Sequence, residues 1–307
     1  MTQIHVPVMW KECRDFLITE RSGAYFDGTV GFGGHLEKFL PELNKDALYI
    51  GTDSDDTAKK YTSEKFAGDS RIRIYDLNFT HIDKIAILEG LDSFTGIFAD
   101  LGVSSYQLDS SDAGFTYRAE SDLDMRMNKK LGKPASYFIN SMDEGEIIQI
   151  LREYGEEHDA KKVARAIIAK RTVKKITTTT ALAEVIEEIT PPNYLFKRLS
   201  RVFQAFRILV NDELGVLREF LGKSVDLLAP GGRIAILTYH SLEDRIVKEV
   251  FRNAEKGCIC PPSFPVCVCG RKPVMKAVVR KPLVPSSEEI SFNNRARSAK
   301  LRVSEKL

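Results

Sequence analysis

The stretch FDGTVGFGGH, residues 26–35, decides the fold of this chain because it joins an acidic residue to a glycine-rich turn. The residues GAYFDGT, 23–29, are predicted to form a strand, and HLEKFLPEL, 35–43, a helix. Glycine adopts positive φ and lets a ligand approach the backbone, and the start of a helix presents unpaired N–H groups. The stretch therefore predicts a strand, a turn and a helix that hold a nucleoside-containing cofactor.

The spacing of the glycines distinguishes a dinucleotide cofactor from other nucleoside-containing cofactors. The dinucleotide pattern G-x-G-x-x-G, begun at Gly31, would need a glycine where Leu36 stands. An acid followed by glycines at the fourth and sixth positions does fit, as Asp27, Gly31 and Gly33. That spacing resembles the first motif of Rossmann-like methyltransferases that bind S-adenosylmethionine. A turn that merely connects a strand to a helix is the alternative interpretation.

Two further acids lie at the ends of predicted strands. Asp53 closes the strand DALYIGTD, 46–53, where a carboxylate accepts the ribose hydroxyls of an adenosine in a nicotinamide or a sulfonium cofactor. Asp100 lies in FTGIFADLG, 94–102, at the end of the fourth predicted strand. Catalytic groups in open α/β sheets gather at the carboxyl ends of strands. We therefore expect Asp53 to bind the cofactor and Asp100 to contact the cofactor or the substrate.

The pattern of the chain changes from strands alternating with helices to helices alone at about residue 106. Helical spacing marks 142–155, 160–171 and 179–190, PPN at 191–193 interrupts it, and another helix is predicted over 199–214. A turn is predicted at APGGR, 229–233, and strands return with IAILTYH and in the tail. The sequence predicts an α/β fold, a Rossmann-like class I methyltransferase sheet with an inserted all-helical domain. Residues 1–105 and 206–307 would bind the cofactor, and the helical insertion 106–205 would recognise the substrate.

Charge is distributed unevenly along the 307 residues, although the formal net charge is only +2. Residues 160–201 carry ten Lys/Arg against three Glu, residues 271–302 carry nine against two, and the rest of the chain has a net charge of −12. Two basic regions favour a polyanionic partner over merely solvated helix faces. The candidate phosphate contacts are Lys161, Lys162, Arg165, Lys170, Arg171, Arg295, Arg297 and Arg302. No membrane span or secretory signal is recognisable, so we expect a cytoplasmic protein.

Four of the five cysteines form a cluster in the sequence, CICPPSFPVCVC. Four thiolates this close could hold a structural zinc ion, or they could be reduced thiols in a loop; the sequence leaves both open. A catalytic metal is not predicted, since four thiolates leave no open coordination position. The four residues are Cys258, Cys260, Cys267 and Cys269.

Seven segments together resemble the RsmH (MraW) family of bacterial methyltransferases, which act on N4 of a cytidine in the decoding region of 16S ribosomal RNA. They run in order from His5 to Val303, and they are HVPVMWKE, DGTVGFGGH, ADLGVSSYQLD, GFTYRAESDLDMRM, RVFQAFRILVNDEL, TYHSLEDRIVK and NNRARSAKLRV. The resemblance implies S-adenosylmethionine as cofactor and 16S rRNA of the small ribosomal subunit as partner. Whether the substrate is naked RNA or an assembled subunit, and whether the chain forms a homodimer, the sequence does not decide.

The resemblance also implies which residues contact the cofactor: Gly33, Gly34, His35, Asp53, Phe79, Asp100 and Gln107. Of these, Asp100 is the leading candidate for positioning the target amine, and His35 is expected to contribute only a backbone N–H. Methylation at carbon 5 of cytosine would need a cysteine nucleophile, commonly in a Pro-Cys dipeptide, and the sequence has none. The competing functions are a nicotinamide oxidoreductase, disfavoured by Leu36, and a noncatalytic ribosome-assembly factor on the same fold.

Overall fold

A computed structural model of the chain describes residues 6–102, 114–261 and 263–307. The chain divides into two compact units, which we call unit 1 (residues 1–102 and 214–307) and unit 2 (residues 103–213). No helix among the described residues is long and apolar enough to cross a membrane.

Among its described residues, unit 1 contains seven strands and the helices that alternate with them. The strands are β1 (Ala24–Asp27), β2 (Leu48–Thr52), β3 (Ile72–Tyr75), β4 (Phe94–Asp100), β5 (Leu228–Thr238), β6 (Met275–Ala277) and β7 (Lys300–Lys306). The first helices are α1 (Trp10–Leu17), α2 (Gly34–Phe39), α3 (Asp56–Lys65) and α4 (Ile82–Leu88). After unit 2 come α10 (Glu213–Leu227), α11 (Ser241–Lys256) and α12 (Ser287–Phe292). Short 3-10 segments lie at Leu40–Glu42, Phe79–His81 and Asn294–Ser298.

All seven strands form one sheet in the order β3-β2-β1-β4-β5-β7-β6. Strands β1 to β5 pair in parallel, and β7 is antiparallel to both β5 and β6. The chain moves outward from β1 in one direction and then returns to the other side of β1 with β4. Ligands of open α/β sheets bind at such a reversal, outside the carboxyl ends of the strands. The predicted α/β class is confirmed, and the sheet places the ends of β1 and β4 side by side.

Burial on both faces explains why the central strands lack alternating polar residues. In β1, Tyr25 and Phe26 are each 1% exposed, and in β4 the run from Gly96 to Ala99 is buried. The rings of Phe39 and Phe98 pack edge to face with centroids 5.4 Å apart. The buried sheet is therefore a rigid support for the polar residues at its carboxyl edge.

Unit 2 is built from five helices among its described residues. They are α5 (Ala135–Ser141), α6 (Glu144–Glu153), α7 (Ala160–Val173), α8 (Thr179–Glu188) and α9 (Pro192–Asn211). Their apolar faces share one core that includes Val163, Ile167 and Phe206. The predicted domain boundary at residue 206 falls inside helix α9. Residues of α9 on both sides of that position pack into this core, and the whole helix belongs to unit 2.

Two local features differ from the sequence expectations. The PPN segment does not separate two helices by a loop of its own, because α9 begins at Pro192, where a proline costs no hydrogen bond and its fixed φ suits the first helical turn. Strand β5 begins at Leu228 and includes the APGG segment that was predicted as a turn. Its pairing with β4 shifts register between Phe94 and Gly96, and Gly231 has φ +77°, so the predicted turn is an irregular strand start.

Candidate active site

The turn between β1 and α2 needs glycine mainly for its own backbone. Gly31 has φ +50° and Gly33 has φ +74°, a region that residues with a side chain rarely adopt. A Cβ on Gly33 would also lie 2.7 Å from Cε2 of Phe66. At Gly34 a Cβ would lie 3.5 Å from Pro7, an ordinary contact. The positive φ angles and the neighbouring ring of Phe66 therefore account for the glycines at 31 and 33.

Asp53, one residue beyond the end of β2, fixes the middle of this turn. Its Oδ2 accepts a hydrogen bond from the N–H of Gly31 at 2.8 Å, and its Oδ1 accepts one from the N–H of Asp55 at 2.8 Å. Burial raises the pKa of Asp53 to about 6, against the effect of these two N–H groups. Each carboxylate oxygen keeps a second lone pair, so Asp53 can still accept hydrogen bonds from ribose hydroxyls.

Asp27 and Thr29 link the turn to β4. Oδ1 of Asp27 accepts from the N–H of Thr29 at 2.9 Å, and its Oδ2 accepts from the hydroxyl of Tyr49 at 2.7 Å. The hydroxyl of Thr29 in turn accepts from the N–H of Asp100 at 2.7 Å. Burial raises the pKa of Asp27 to about 6. Thr29, which the sequence analysis did not count as a site residue, thus holds the turn against the end of β4.

Asp100, the last residue of β4, is oriented by a tyrosine that the sequence analysis missed. The hydroxyl of Tyr239, just after β5, donates to Oδ1 of Asp100 at 2.6 Å. Burial raises the pKa of Asp100 to about 7, although the hydrogen bond from Tyr239 acts to lower it. Tyr239 lies within the quoted segment TYHSLEDRIVK, and the parallel pairing of β4 with β5 is the signal that could have identified it.

His35 lies in the first turn of α2 with its side chain buried, whereas the sequence analysis assigned it only a backbone role. Its Nε2 donates to the carbonyl of Val8 at 3.0 Å, and its ring packs on that of Phe98 with centroids 4.8 Å apart. Nδ1 lies 3.7 Å from Oδ2 of Asp100, too far for a hydrogen bond. Burial lowers the pKa of His35, so the neutral ring is favoured.

Phe79 begins the 3-10 segment after β3 and lies close to the start of the turn. Its ring packs edge-on against Phe220 with centroids 4.7 Å apart, and the side chain is half-buried. A Cβ on Gly28 would lie 2.9 Å from Cβ of Phe79. The site thus brings Gly28, the turn and Phe79 together in unit 1. Packing of Phe79 on an adenine stays a prediction.

The charges and N–H groups of this edge suit a cationic ligand better than a pyrophosphate. Among the described residues, no lysine or arginine forms a salt bridge with Asp27, Asp53 or Asp100. The turn N–H groups of residues 28, 29, 30, 31 and 33 already donate within the protein. A dinucleotide phosphate would therefore meet carboxylates and few open donors, whereas a sulfonium or ammonium group would be attracted. The residues fit S-adenosylmethionine on this ground.

Some predicted residues are not part of this arrangement. Gln107 lies outside the described residues. Of the basic candidates, Lys162 donates to the carbonyl of Ile189 at 2.7 Å, and Arg302 pairs with Asp244 at 2.6 Å. Three other basic candidates also contact acceptors within their own unit: Arg165 contacts Glu144, Lys170 contacts Glu188, and Arg171 contacts the carbonyl of Ile139. Lys161 and Arg297 are exposed and make no ion pair with the described residues.

Proteins similar to this chain are methyltransferases by name. "Ribosomal RNA small subunit methyltransferase H" of Carboxydothermus hydrogenoformans is 46% identical over 307 residues, which cover 99% of this chain and 98% of that protein. The protein of the same name from Clostridium botulinum strain Kyoto is 44% identical over 305 residues, with 99% of each chain covered. An rRNA methylase structure from Streptococcus thermophilus is 12% identical and superimposes with a TM-score of 0.43 over 100% of this chain and 99% of that chain.

The match to a sequence family extends over nearly the whole chain. Residues 2–307 match the MraW methylase family, and that range includes all of unit 2 and all of unit 1 except its first residue. The resemblance drawn from the seven segments is thereby confirmed, and the chain belongs to the MraW methylase family.

Proposed function

We propose that this protein methylates the exocyclic N4 of a cytidine in the decoding region of 16S ribosomal RNA. S-adenosylmethionine is the cofactor, as the sequence predicted, because the chain belongs to a methylase family and its strand edge suits a cationic ligand. Relatives that cover nearly the whole chain carry the name of a small-subunit ribosomal RNA methyltransferase, which supports ribosomal RNA as the substrate. We propose N4 as the methyl acceptor because Asp100 can accept a hydrogen bond from an amine N–H and then take up its proton.

The observation that carries the proposal is the hydrogen bonding and the pKa of Asp100, which lies where the strand order of the sheet reverses. The lone pair of a cytosine amine is delocalised into the ring, so an acceptor for its N–H groups is needed to restore electron density on nitrogen. Oδ2 of Asp100 accepts no hydrogen bond from the described residues, while Tyr239 holds Oδ1. The Oδ2 oxygen can accept the amine N–H. With a pKa of about 7, the same carboxylate can take the proton that nitrogen loses after alkylation.

Each neighbouring residue has a part in this arrangement. Asp53 holds the turn through Gly31 and would accept the ribose hydroxyls. Tyr239 orients Asp100, and Thr29 fixes the backbone of the same residue. The methyl group comes from S-adenosylmethionine, whose cationic sulfur makes it transferable. The neutral ring of His35 donates a hydrogen bond to the carbonyl of Val8 and lies buried beside Asp100.

Carbon-5 methylation is less well supported because it requires a cysteine nucleophile. Cys13 is completely buried, and burial raises the pKa of its thiol well above the usual range. The other four cysteines lie together between α11 and β6. No described cysteine therefore stands at the carboxyl edge of the sheet as an accessible thiolate, and nitrogen is the better supported acceptor.

The target base must leave its stack, which costs about a few kcal/mol, so the RNA backbone must be held elsewhere. Lys161, Lys174 and Lys175 of unit 2 are exposed and make no ion pair with the described residues. Arg297 of unit 1 is exposed in the same way. Basic residues that already pair at the surface gain only about 0–1 kcal/mol from those pairs, so phosphates can compete for them. We expect Lys161, Lys174, Lys175 and Arg297 to contact RNA phosphates.

The experiment that tests the proposal follows a labelled methyl group. Small ribosomal subunits lacking the modification, and the naked 16S rRNA, are incubated with the protein and S-adenosylmethionine carrying a labelled methyl. The RNA is then digested to nucleosides and separated. We expect label on N4-methylcytidine from a decoding-region fragment, and a rate lowered about 100-fold by Asp100→Asn. Label on carbon 5, label elsewhere in the RNA, or RNA binding without any transfer would each contradict the proposal.

A further inference from the structure

The segment between α11 and β6, residues 257–274, carries four of the five cysteines, and we call it the cysteine loop. Its two ends meet, because the N–H of Val274 donates to the carbonyl of Ala254 at 2.9 Å. Gly257 has φ +63°, and a Cβ there would overlap the backbone of Lys272 and Pro273. The loop therefore leaves α11 and returns to the same point before it enters β6.

The cysteine loop has no hydrophobic core of its own. None of its described residues after Gly257 is buried, and four of its apolar side chains are more than half exposed. These are Ile259 (64% exposed), Phe264 (51%), Val266 (70%) and Val268 (73%). A short segment that buries so little apolar surface needs a crosslink or a metal to hold one conformation.

The four sulfur atoms nevertheless converge on one point. Sγ of Cys267 lies 3.4 Å from Sγ of Cys258, 4.0 Å from that of Cys260 and 3.5 Å from that of Cys269. The sulfurs of Cys269 and Cys258 are 3.8 Å apart, and all four lie within 4.8 Å of one another. Four sulfurs that each bind a central zinc ion at about 2.3 Å in a tetrahedron are about 3.8 Å apart. The observed separations match that edge length.

Two further observations favour thiolate ligands over disulfides. The four cysteines are unbonded to one another, and their sulfur separations far exceed the roughly 2.05 Å of a disulfide. The N–H of Val268 donates to Sγ of Cys260 at 3.4 Å. A backbone donor of this kind stabilises negative charge on sulfur. Lys256, Arg271 and Lys272 lie within three residues of a cysteine in the sequence, and their charges are opposite to the net charge of −2 of a Zn²⁺ ion with four thiolates.

We propose that Cys258, Cys260, Cys267 and Cys269 bind one Zn²⁺ ion as a tetrahedral structural site that fixes the cysteine loop between α11 and β6. Binding converts thiols to thiolates and releases their protons to solvent, with no redox change. Four protein ligands leave no position for water or substrate, so the ion orders the loop and takes no part in methyl transfer. This inference stands independently of the proposed function, since none of its ligands belongs to the strand edge.

Metal analysis of the whole protein tests the proposal. Protein purified without chelators should contain about one zinc per chain by mass spectrometry of the metal. Replacing the metal with Co²⁺ should give the intense visible bands of a tetrahedral thiolate complex. The double variant Cys260→Ser/Cys269→Ser should lose at least about nine-tenths of the metal, because two of four ligands are gone. The matched control, Cys13→Ala, removes the buried cysteine outside the loop and should keep the metal.

Hydrogen exchange supplies a readout that does not depend on the variants folding. In wild-type protein, chelation of the metal should accelerate amide exchange in residues 258–274, and added Zn²⁺ should restore it. Three results would overturn the proposal: metal-free wild-type protein that gives no Co²⁺ bands, iron in place of zinc, or disulfides among these cysteines in protein purified under reducing conditions. Equal metal content in the double variant and in Cys13→Ala would also overturn it.

Discussion

At the scale of single residues, burial sets the protonation of the strand-edge carboxylates. The pKa of Asp27 and that of Asp53 are raised to about 6, and that of Asp100 to about 7, in each case chiefly by desolvation. Hydrogen-bond donors oppose these shifts, and at Asp53 the charge of Lys59 makes a smaller contribution. A ligand that brings positive charge would favour the ionised carboxylates, and Asp100 alone is about half ionised at pH 7.

The role of Asp53 in holding the cofactor is tested by Asp53→Asn. The substitution removes the charge and one of two acceptors, and charge-assisted hydrogen bonds contribute about 1.5–3 kcal/mol. We expect the Kd for S-adenosylmethionine, measured by calorimetry, to rise about 10- to 100-fold. Asp92→Asn, at an exposed position, serves as the control and should bind as wild type does. An Asp53→Asn protein that binds within about twofold of wild type would refute the assignment.

The pairing of Tyr239 with Asp100 predicts a pH dependence. Asp100 must be ionised to accept the amine N–H, so kcat/KM should fall as the pH decreases through about 7. The hydroxyl of Tyr239 stabilises the ionised form, so Tyr239→Phe raises the pKa of Asp100 and moves the inflection to higher pH. The residual activity of Asp100→Asn should lack this inflection. An unchanged profile in Tyr239→Phe would show that the titrating group is not Asp100.

The sequence identified residues by their position at strand ends but could not assign their side-chain partners. Asp53 and Asp100 were predicted from the strand pattern, and both lie at the carboxyl edge. The partner of His35 is the carbonyl of Val8, which lies in the segment before α1. Tyr239 follows a strand distant in the sequence from Asp100. Contacts between such distant segments follow from the sheet order, which local patterns do not contain.

At the scale of elements, hydrogen bonds within the protein hold the turn after β1 in its conformation without a ligand. Gly31 donates its N–H to Asp53 and accepts from the hydroxyl of Thr62 through its carbonyl, at 2.6 Å. The left-handed conformation at Gly31 and Gly33 makes these contacts possible. The sequence predicted the turn correctly from its glycines, but the contact of Gly33 with Phe66 depends on how α3 packs.

Two glycine substitutions separate backbone strain from packing in this turn. Gly33→Ala combines a φ of +74° with a Cβ 2.7 Å from Phe66, whereas Gly90→Ala has a φ of +66° and no atom within 4 Å. Left-handed backbone costs about 1–2 kcal/mol for a residue with a side chain. We expect Gly90→Ala to lose about that amount of unfolding free energy and Gly33→Ala to lose about 1–3 kcal/mol more through overpacking.

Chemical denaturation of both variants, followed by the tryptophan signal and by circular dichroism, measures this difference. Gly33→Ala should also weaken binding of S-adenosylmethionine, while Gly90→Ala should leave it unchanged, because Gly90 lies in the turn after α4. Equal losses of stability in the two variants would mean that Phe66 moves aside and that the turn is less constrained than its geometry indicates.

At the scale of the whole molecule, the distribution of charge is partly neutralised within each unit. Salt bridges and carbonyl contacts engage most of the basic residues that the sequence analysis selected. Charge counts along the sequence could not distinguish these from exposed cations, since pairing depends on neighbouring helices. Lys161, Lys174, Lys175 and Arg297 are exposed and make no ion pair with the described residues, so they are the set that we expect to contact RNA phosphates.

The salt dependence of RNA binding tests that set. Each phosphate contact adds about 0.7–0.9 to the magnitude of the negative slope of log K against log salt. The double variant Lys174→Ala/Lys175→Ala should therefore decrease the magnitude of the slope by about 1–2 and weaken binding at low salt. Lys60→Ala, on α3 and next to Glu64, removes an exposed lysine outside the set and should leave the slope unchanged. An unaltered slope in the double variant would place the RNA on another surface.

In the proposed function, the glycine turn, Asp53 and Asp100 together hold an adenosyl sulfonium donor beside the target amine. A crystal of this protein grown with S-adenosylmethionine or its demethylated product is the decisive test. We expect electron density for the donor over the turn of residues 28–34, with the ribose hydroxyls on the carboxylate of Asp53 and the sulfur toward Asp100. Donor density elsewhere on the protein, with no density over this turn, would refute the proposed site.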